Sequence, residues 1–77
     1  MIKYKIDIMQ ELNNRGYNYM RIKKEKLLSA QTLENIKQGK SITLDTLNKI
    51  CLMTNLQPKD VIEVIATDEE KAKYYTK

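Results

Sequence analysis

Apolar residues in this sequence recur three and four positions apart in short bursts, each cut by a glycine, a polar capping residue or the single proline. That spacing places side chains on one face of an α-helix, so a core forms only if several short helices pack together. Ile8, Met9 and Leu12 make the first burst, with Ile2 nearby, and Gly16 closes it, because glycine takes the left-handed conformation that ends a helix. Residues 19–28, YMRIKKEKLL, give a second, basic helix with Tyr19, Ile22 and Leu27/Leu28 as its apolar points. Ser29 is a good N-cap for a third helix over about residues 30–38, whose inner edge is Leu33 and Ile36 and which stops at Gly39. Ser41 or Thr43 caps a fourth, where Leu44, Leu47, Ile50 and Cys51 form the cleanest stripe in the chain. Gln57-Pro58 restarts the chain, since proline suits a first helical turn, and Val61, Ile62 and Ile65 become the inner face of a last short helix. No strand signal is visible, and residues 67–77, TDEEKAKYYTK, show no period and read as a flexible polar tail. The expectation is an all-α, compact five-helix domain over residues 1–66.

Size and composition exclude several classes of function. A chain of 77 residues is one domain that buries only about 60% of its unfolded surface. One cysteine rules out an internal disulfide framework, and without histidine there is no ordinary zinc set. Cys51 reads as a small core residue. Charges interrupt every apolar run of MIKYKIDIMQEL, and no stretch approaches the roughly 18 apolar residues of a membrane span. The reading is a soluble, cytoplasmic, bacterial-type protein with no membrane partner. It contains no glycine-rich phosphate loop and no paired carboxylates in an apolar setting, so neither an enzyme nor a bound cofactor or metal is expected.

The formal charge of +4 is unevenly placed: residues 15–40 hold seven basic side chains against two acidic ones, while the flanking segments balance or run slightly negative. Charge concentrated in one segment suggests a polyanionic partner, nucleic acid first and an anionic membrane surface second. A solvated lysine-rich face is the plain alternative. Arg21, Lys23, Lys24 and Lys26 are the phosphate candidates outside the third helix, since a short helix cannot bury four cations.

The third helix carries the most specific signal. Successive residues turn by about 100°, so Gln31, Glu34, Asn35 and Gln38 fall opposite Leu33 and Ile36. Glutamine and asparagine offer a donor beside an acceptor and pair bidentately with adenine N6 and N7. The Ser29 hydroxyl and the free amides at the helix start suit a phosphate oxygen. A basic helix, a tight junction and a second helix with outward amides together resemble a helix-turn-helix, whose second helix enters the major groove.

Residues 27–40, LLSAQTLENIKQGK, resemble the recognition-helix segment of Cro- and lambda-repressor-like proteins, the XRE family, with its Ser/Thr-x-Gln-x-hydrophobic-x-x-hydrophobic-x-x-Gly core. The continuation SITLDTLNKICLMTNLQPKDVIEVI is similar to that family's last two helices, and the resemblance covers about residues 4–65. It implies that Ala30, Gln31 and Asn35 contact bases, with Gln38 at the edge of that surface. It implies that Thr32 and Lys37 lie at its margins near phosphates. Lys40 and Ser41 match the loop that touches the backbone, with Thr43 beside them, and Leu33, Ile36, Leu47 and Ile50 match core positions. The sequence departs from the family at three places: Tyr19 stands where a phosphate-contacting glutamine is usual, so that its hydroxyl is the expected substitute, Lys23 where a small residue is usual, and Lys26-Leu27 replaces the turn glycine.

Taken together, these features predict a regulator, a repressor by preference, that binds double-stranded DNA in a sequence-specific way. One short helix reads few base pairs, which suggests a homodimer on a palindrome; Leu52, Met53 and Val64 are candidates for its surface. The alternative is a protein-interaction module on the same fold, an antitoxin or an antagonist of another regulator, with no operator of its own.

Overall fold

The computed structural model describes residues 1–75. In chain order it runs β1 (Ile2–Tyr4), α1 (Ile8–Asn14), α2 (Tyr19–Lys24), α3 (Ala30–Lys37), α4 (Leu44–Thr54), α5 (Pro58–Val61), β2 (Ile62–Val64) and α6 (Asp68–Tyr74). Short polar side chains set most of the helix starts. Asp7, Asn18, Ser29 and Thr43 each accept a hydrogen bond from the backbone N–H three residues on, and so satisfy amides that lack a helical partner. Around Pro58, Gln57 N–H donates to the Asp60 carboxylate at 3.0 Å and Asp60 N–H donates to the Gln57 carbonyl at 2.9 Å. The ends are equally local: α1 closes before Gly16 at φ +86, and α3 before Gly39 at φ +72.

One core joins these pieces. Ile8 and Leu12 of α1, Ile22 of α2, Leu33 and Ile36 of α3, Leu47 and Ile50 of α4, and Val61 of α5 are all buried, with Leu28 from the α2–α3 junction. Each of these five helices contributes one or two aliphatic side chains, as short amphipathic helices must. Thr54 is the one buried polar residue among those described, and its hydroxyl donates to the Ile50 carbonyl at 2.8 Å.

The sheet was not expected. β1 and β2 pair antiparallel with Ile2 opposite Val64 and Tyr4 opposite Ile62. Each strand has three residues, too few for an alternating pattern to register, and the partners lie some 60 residues apart. The last helical segment is correspondingly shorter than its apolar spacing suggested: α5 ends at Val61, Ile62 enters β2, and Ile65 is exposed.

Two further elements differ from the sequence reading. Leu44 belongs to the α4 stripe by spacing, yet as the first residue of α4 it is 84% exposed. Residues 68–74 form α6, started by a capping box in which Thr67 and Glu70 exchange hydrogen bonds; residues 76 and 77 of the expected tail lie outside the described residues. No residue of α6 is buried. The N-terminal ammonium reaches across to Glu70 at 2.5 Å. Among the described residues there are thus six helices and a two-stranded sheet.

Candidate nucleic-acid interface

α2, its junction and α3 build the site. α2 ends at Lys24, four residues before the apolar spacing runs out, because the chain turns at Lys26, which adopts φ 55. Lys26 N–H donates to the Lys23 carbonyl and Leu27 N–H to the Ile22 carbonyl, closing the helix as a glycine would. The missing turn glycine is therefore replaced by a lysine in the left-handed conformation, at a steric cost of about 1–2 kcal/mol. Leu28 then drops into the core, and Ser29 starts α3.

On α3 the inner edge is Leu33 and Ile36, both buried. The outer face shows Ala30, Gln31, Glu34, Lys37 and Gln38 exposed, with Asn35 and Thr32 half-buried at its sides. The amides are tied to neighbours one turn away: Gln31 Nε2 donates to Asn35 Oδ1 at 3.0 Å, and Gln38 Nε2 donates to Glu34 Oε1 at 2.7 Å. These bonds tie the side chains along the helix and leave Gln31 Oε1 and the Asn35 NH2 outside the pairing. At the start of α3 the Ser29 hydroxyl accepts from Thr32 N–H at 3.1 Å and donates to the Thr32 hydroxyl at 2.8 Å. Thr32 is thus engaged in the cap. Thr43 does the same work at the start of α4 with Thr46.

The cations sort into two groups. Tyr19, in the place of the family's usual glutamine, has Lys23 Nζ 5.2 Å and Lys37 Nζ 5.0 Å from its ring centroid, so one exposed aromatic gathers a lysine from each helix of the motif. Lys23 is itself exposed, which is why the usual small residue is not needed there. Arg21 is otherwise occupied: its guanidinium pairs with Glu25 at 2.9 Å, donates to the Gly16 carbonyl at 3.2 Å and lies 4.2 Å from the Tyr17 ring. Arg21 and Lys24 leave α2 on the side away from Tyr19, about 200° and 140° round the helix.

Tertiary packing adds residues that the sequence did not single out. Lys49 of α4 joins Lys23, Lys26, Ser29, Ala30 and Thr46 around a cleft beside the junction, which the twenty-residue gap from Ser29 concealed. Lys40 stands exposed after α3, its N–H donating to the Asn35 carbonyl at 2.8 Å while its own carbonyl accepts from the Tyr4 hydroxyl. Ser41 beside it is exposed. Cys51 lies away from this surface among apolar neighbours, and burial first, then the Asp60 carboxylate, pushes its thiol pKa up.

This geometry agrees with a family model for the Cro/C1-type HTH DNA-binding domain, which matches residues 7–67. The chain belongs to that family. The Cro/C1-type match spans α1 to β2, leaving β1 and α6 outside it. No curated protein and no solved structure matches the chain. Among the described residues no helix is long and apolar enough to cross a membrane, and no group of three or more His, Cys, Asp or Glu side chains is placed to hold a metal ion.

Proposed function

We propose that this Cro/C1-type domain is a sequence-specific regulator of transcription that represses by occupying an operator, with α3 lying in the major groove. The observation that carries the reading is the outer face of α3. Gln31, Asn35 and Gln38 stand on a helix whose opposite edge is locked into the core by Leu33 and Ile36. Amides at helical spacing, with Gln31 and Gln38 exposed and Asn35 half-buried, suit base edges, while Lys23, Lys37 and Lys40 around them suit the phosphates on either side. Ala30 would meet a thymine methyl, and Ser29, Ser41 and Thr43 lie where backbone phosphates would pass.

The regulator acts in the cytoplasm as a homodimer on a palindromic site, because one eight-residue helix reads too few base pairs for useful specificity. Selection of bound duplexes from a random pool tests this: enrichment of a palindrome with half-sites about one helical turn apart is the expected result.

A second reading is a protein-interaction module on the same fold. Leu44 and Leu52, 84% and 73% exposed on α4, favour it, since apolar side chains of that size suit a protein partner. Size-exclusion chromatography separates the two readings. A module of that kind co-elutes with a partner protein and shifts no duplex above background.

A further inference from the structure

Six carboxylates precede β2, and five of them have a task within the fold. Glu11 and Glu25 pair with Arg15 and Arg21 at 3.0 and 2.9 Å, and Asp45 with Lys49 at 3.4 Å. Asp7 and Asp60 accept from backbone N–H groups at the starts of α1 and α5 at 3.1 and 3.0 Å. Glu34 pairs with no cation among the described residues and caps no helix. It nevertheless stands exposed on the outer face of α3, within the most basic part of the chain.

A carboxylate in that position weakens attraction to any phosphate. It stands about 40° from Gln38 and about 60° from Gln31 around the helix, so it shares their outward surface. Its one side-chain partner is Gln38, whose Nε2 donates to Glu34 Oε1 at 2.7 Å. That bond orients the carboxylate and leaves Glu34 Oε2, which can only accept, beside Gln38 Oε1 and the second hydrogen of Gln38 Nε2.

A carboxylate oxygen, which can only accept, discriminates sharply in a major groove. Guanine presents N7 and O6, both acceptors, and thymine presents the O4 acceptor and a methyl group, so both are repelled. Adenine sets an acceptor beside its donor. Cytosine presents only the N4 amine there. We propose that Glu34 is a specificity-determining residue that selects cytosine by accepting a hydrogen bond from N4, with Gln38 holding the carboxylate in place. The proposal rests on α3 being the major-groove helix, and it gives the two paired side-chain sets different tasks: Gln31–Asn35 for adenine, Glu34–Gln38 for cytosine.

The test is duplex selection from a random pool, run in parallel with the wild type, Glu34→Gln and Glu34→Ala, with circular dichroism melts confirming that the exposed substitutions leave the fold intact. The wild type is expected to enrich cytosine at one position of each half-site. Both variants are expected to lose that preference by roughly tenfold or more while keeping the rest of the motif. Glu34→Gln should shift the position toward adenine. Variants that keep the full wild-type motif and bind every sequence more tightly would overturn the proposal, leaving Glu34 a bare charge and the major-groove reading untouched. A wild type that enriches no motif would overturn both together.

Discussion

The hydroxyl of Tyr4 donates a hydrogen bond to the carbonyl oxygen of Lys40, 36 residues along the chain. The bond fastens β1 to the loop that follows α3, so the strand pair missed in the sequence steadies a segment proposed to meet the DNA backbone. Tyr4→Phe keeps the ring and removes the bond; a loss of about 0.5–1.5 kcal/mol in urea unfolding is expected, with faster amide exchange in the loop. Burial raises the Tyr4 pKa above its ordinary 10. The proton is held more tightly in the folded state, so this contribution is present below pH 10 and fades as pH rises through the raised value. The gap between wild type and Phe variant should therefore close in strongly alkaline melts.

Lys26 sits at φ 55 in the α2–α3 junction, a conformation that glycine adopts freely. Lys26→Gly relieves the steric penalty while adding chain entropy to the unfolded state, for a net gain of about 0.5–1 kcal/mol. Lys26→Val should lose at least about 1 kcal/mol, because a β-branched residue fits that region worst. Denaturant midpoints for the two variants check both signs.

Much of the motif was legible because its signals are local. Ser29, Thr43 and Pro58 mark helix starts through bonds or geometry within a single turn, and Leu33 and Ile36 set the inward edge of α3 by spacing alone. What escaped depends on distant partners. Ile2 and Val64 pair across the sheet yet remain 63% and 73% exposed, so neither carries a burial pattern. Leu44 obeys the α4 period but, three residues before the buried Leu47, it stands beyond the edge of the core. Other signals were present and went unread: Thr67 and Glu70 have capping-box spacing, and Arg21 and Glu25 lie four apart as helical ion pairs do.

Glu70 supplies a titration. Its carboxyl is held down to about 2 from the usual 4.5, chiefly by the hydrogen bond from the Met1 ammonium and then by the Thr67 N–H. A depressed pKa means that the contribution is complete above pH 4.5 and is lost as pH falls through about 2. Carboxyl carbon shifts followed by NMR should give a Glu70 midpoint near 2, with the α6 signals broadening in step; a midpoint near 4.5 would show that the Met1 ammonium and Glu70 do not meet.

Lys37 and Lys23 flank the Tyr19 ring and are proposed to face phosphates rather than bases. Lys37→Ala should weaken binding to all duplexes by a similar factor and reduce the slope of log affinity against log salt by about 1. Filter binding at several salt concentrations, with operator and scrambled duplexes, distinguishes this from a change in base preference.

The most direct measurement is the affinity of Gln31→Ala for the selected operator and for each of its single-base variants, at fixed salt. Loss of about 1–3 kcal/mol of discrimination, confined to one or two adjacent positions, is the predicted result. Base preferences identical to those of the wild type would contradict the placement of α3 in the major groove.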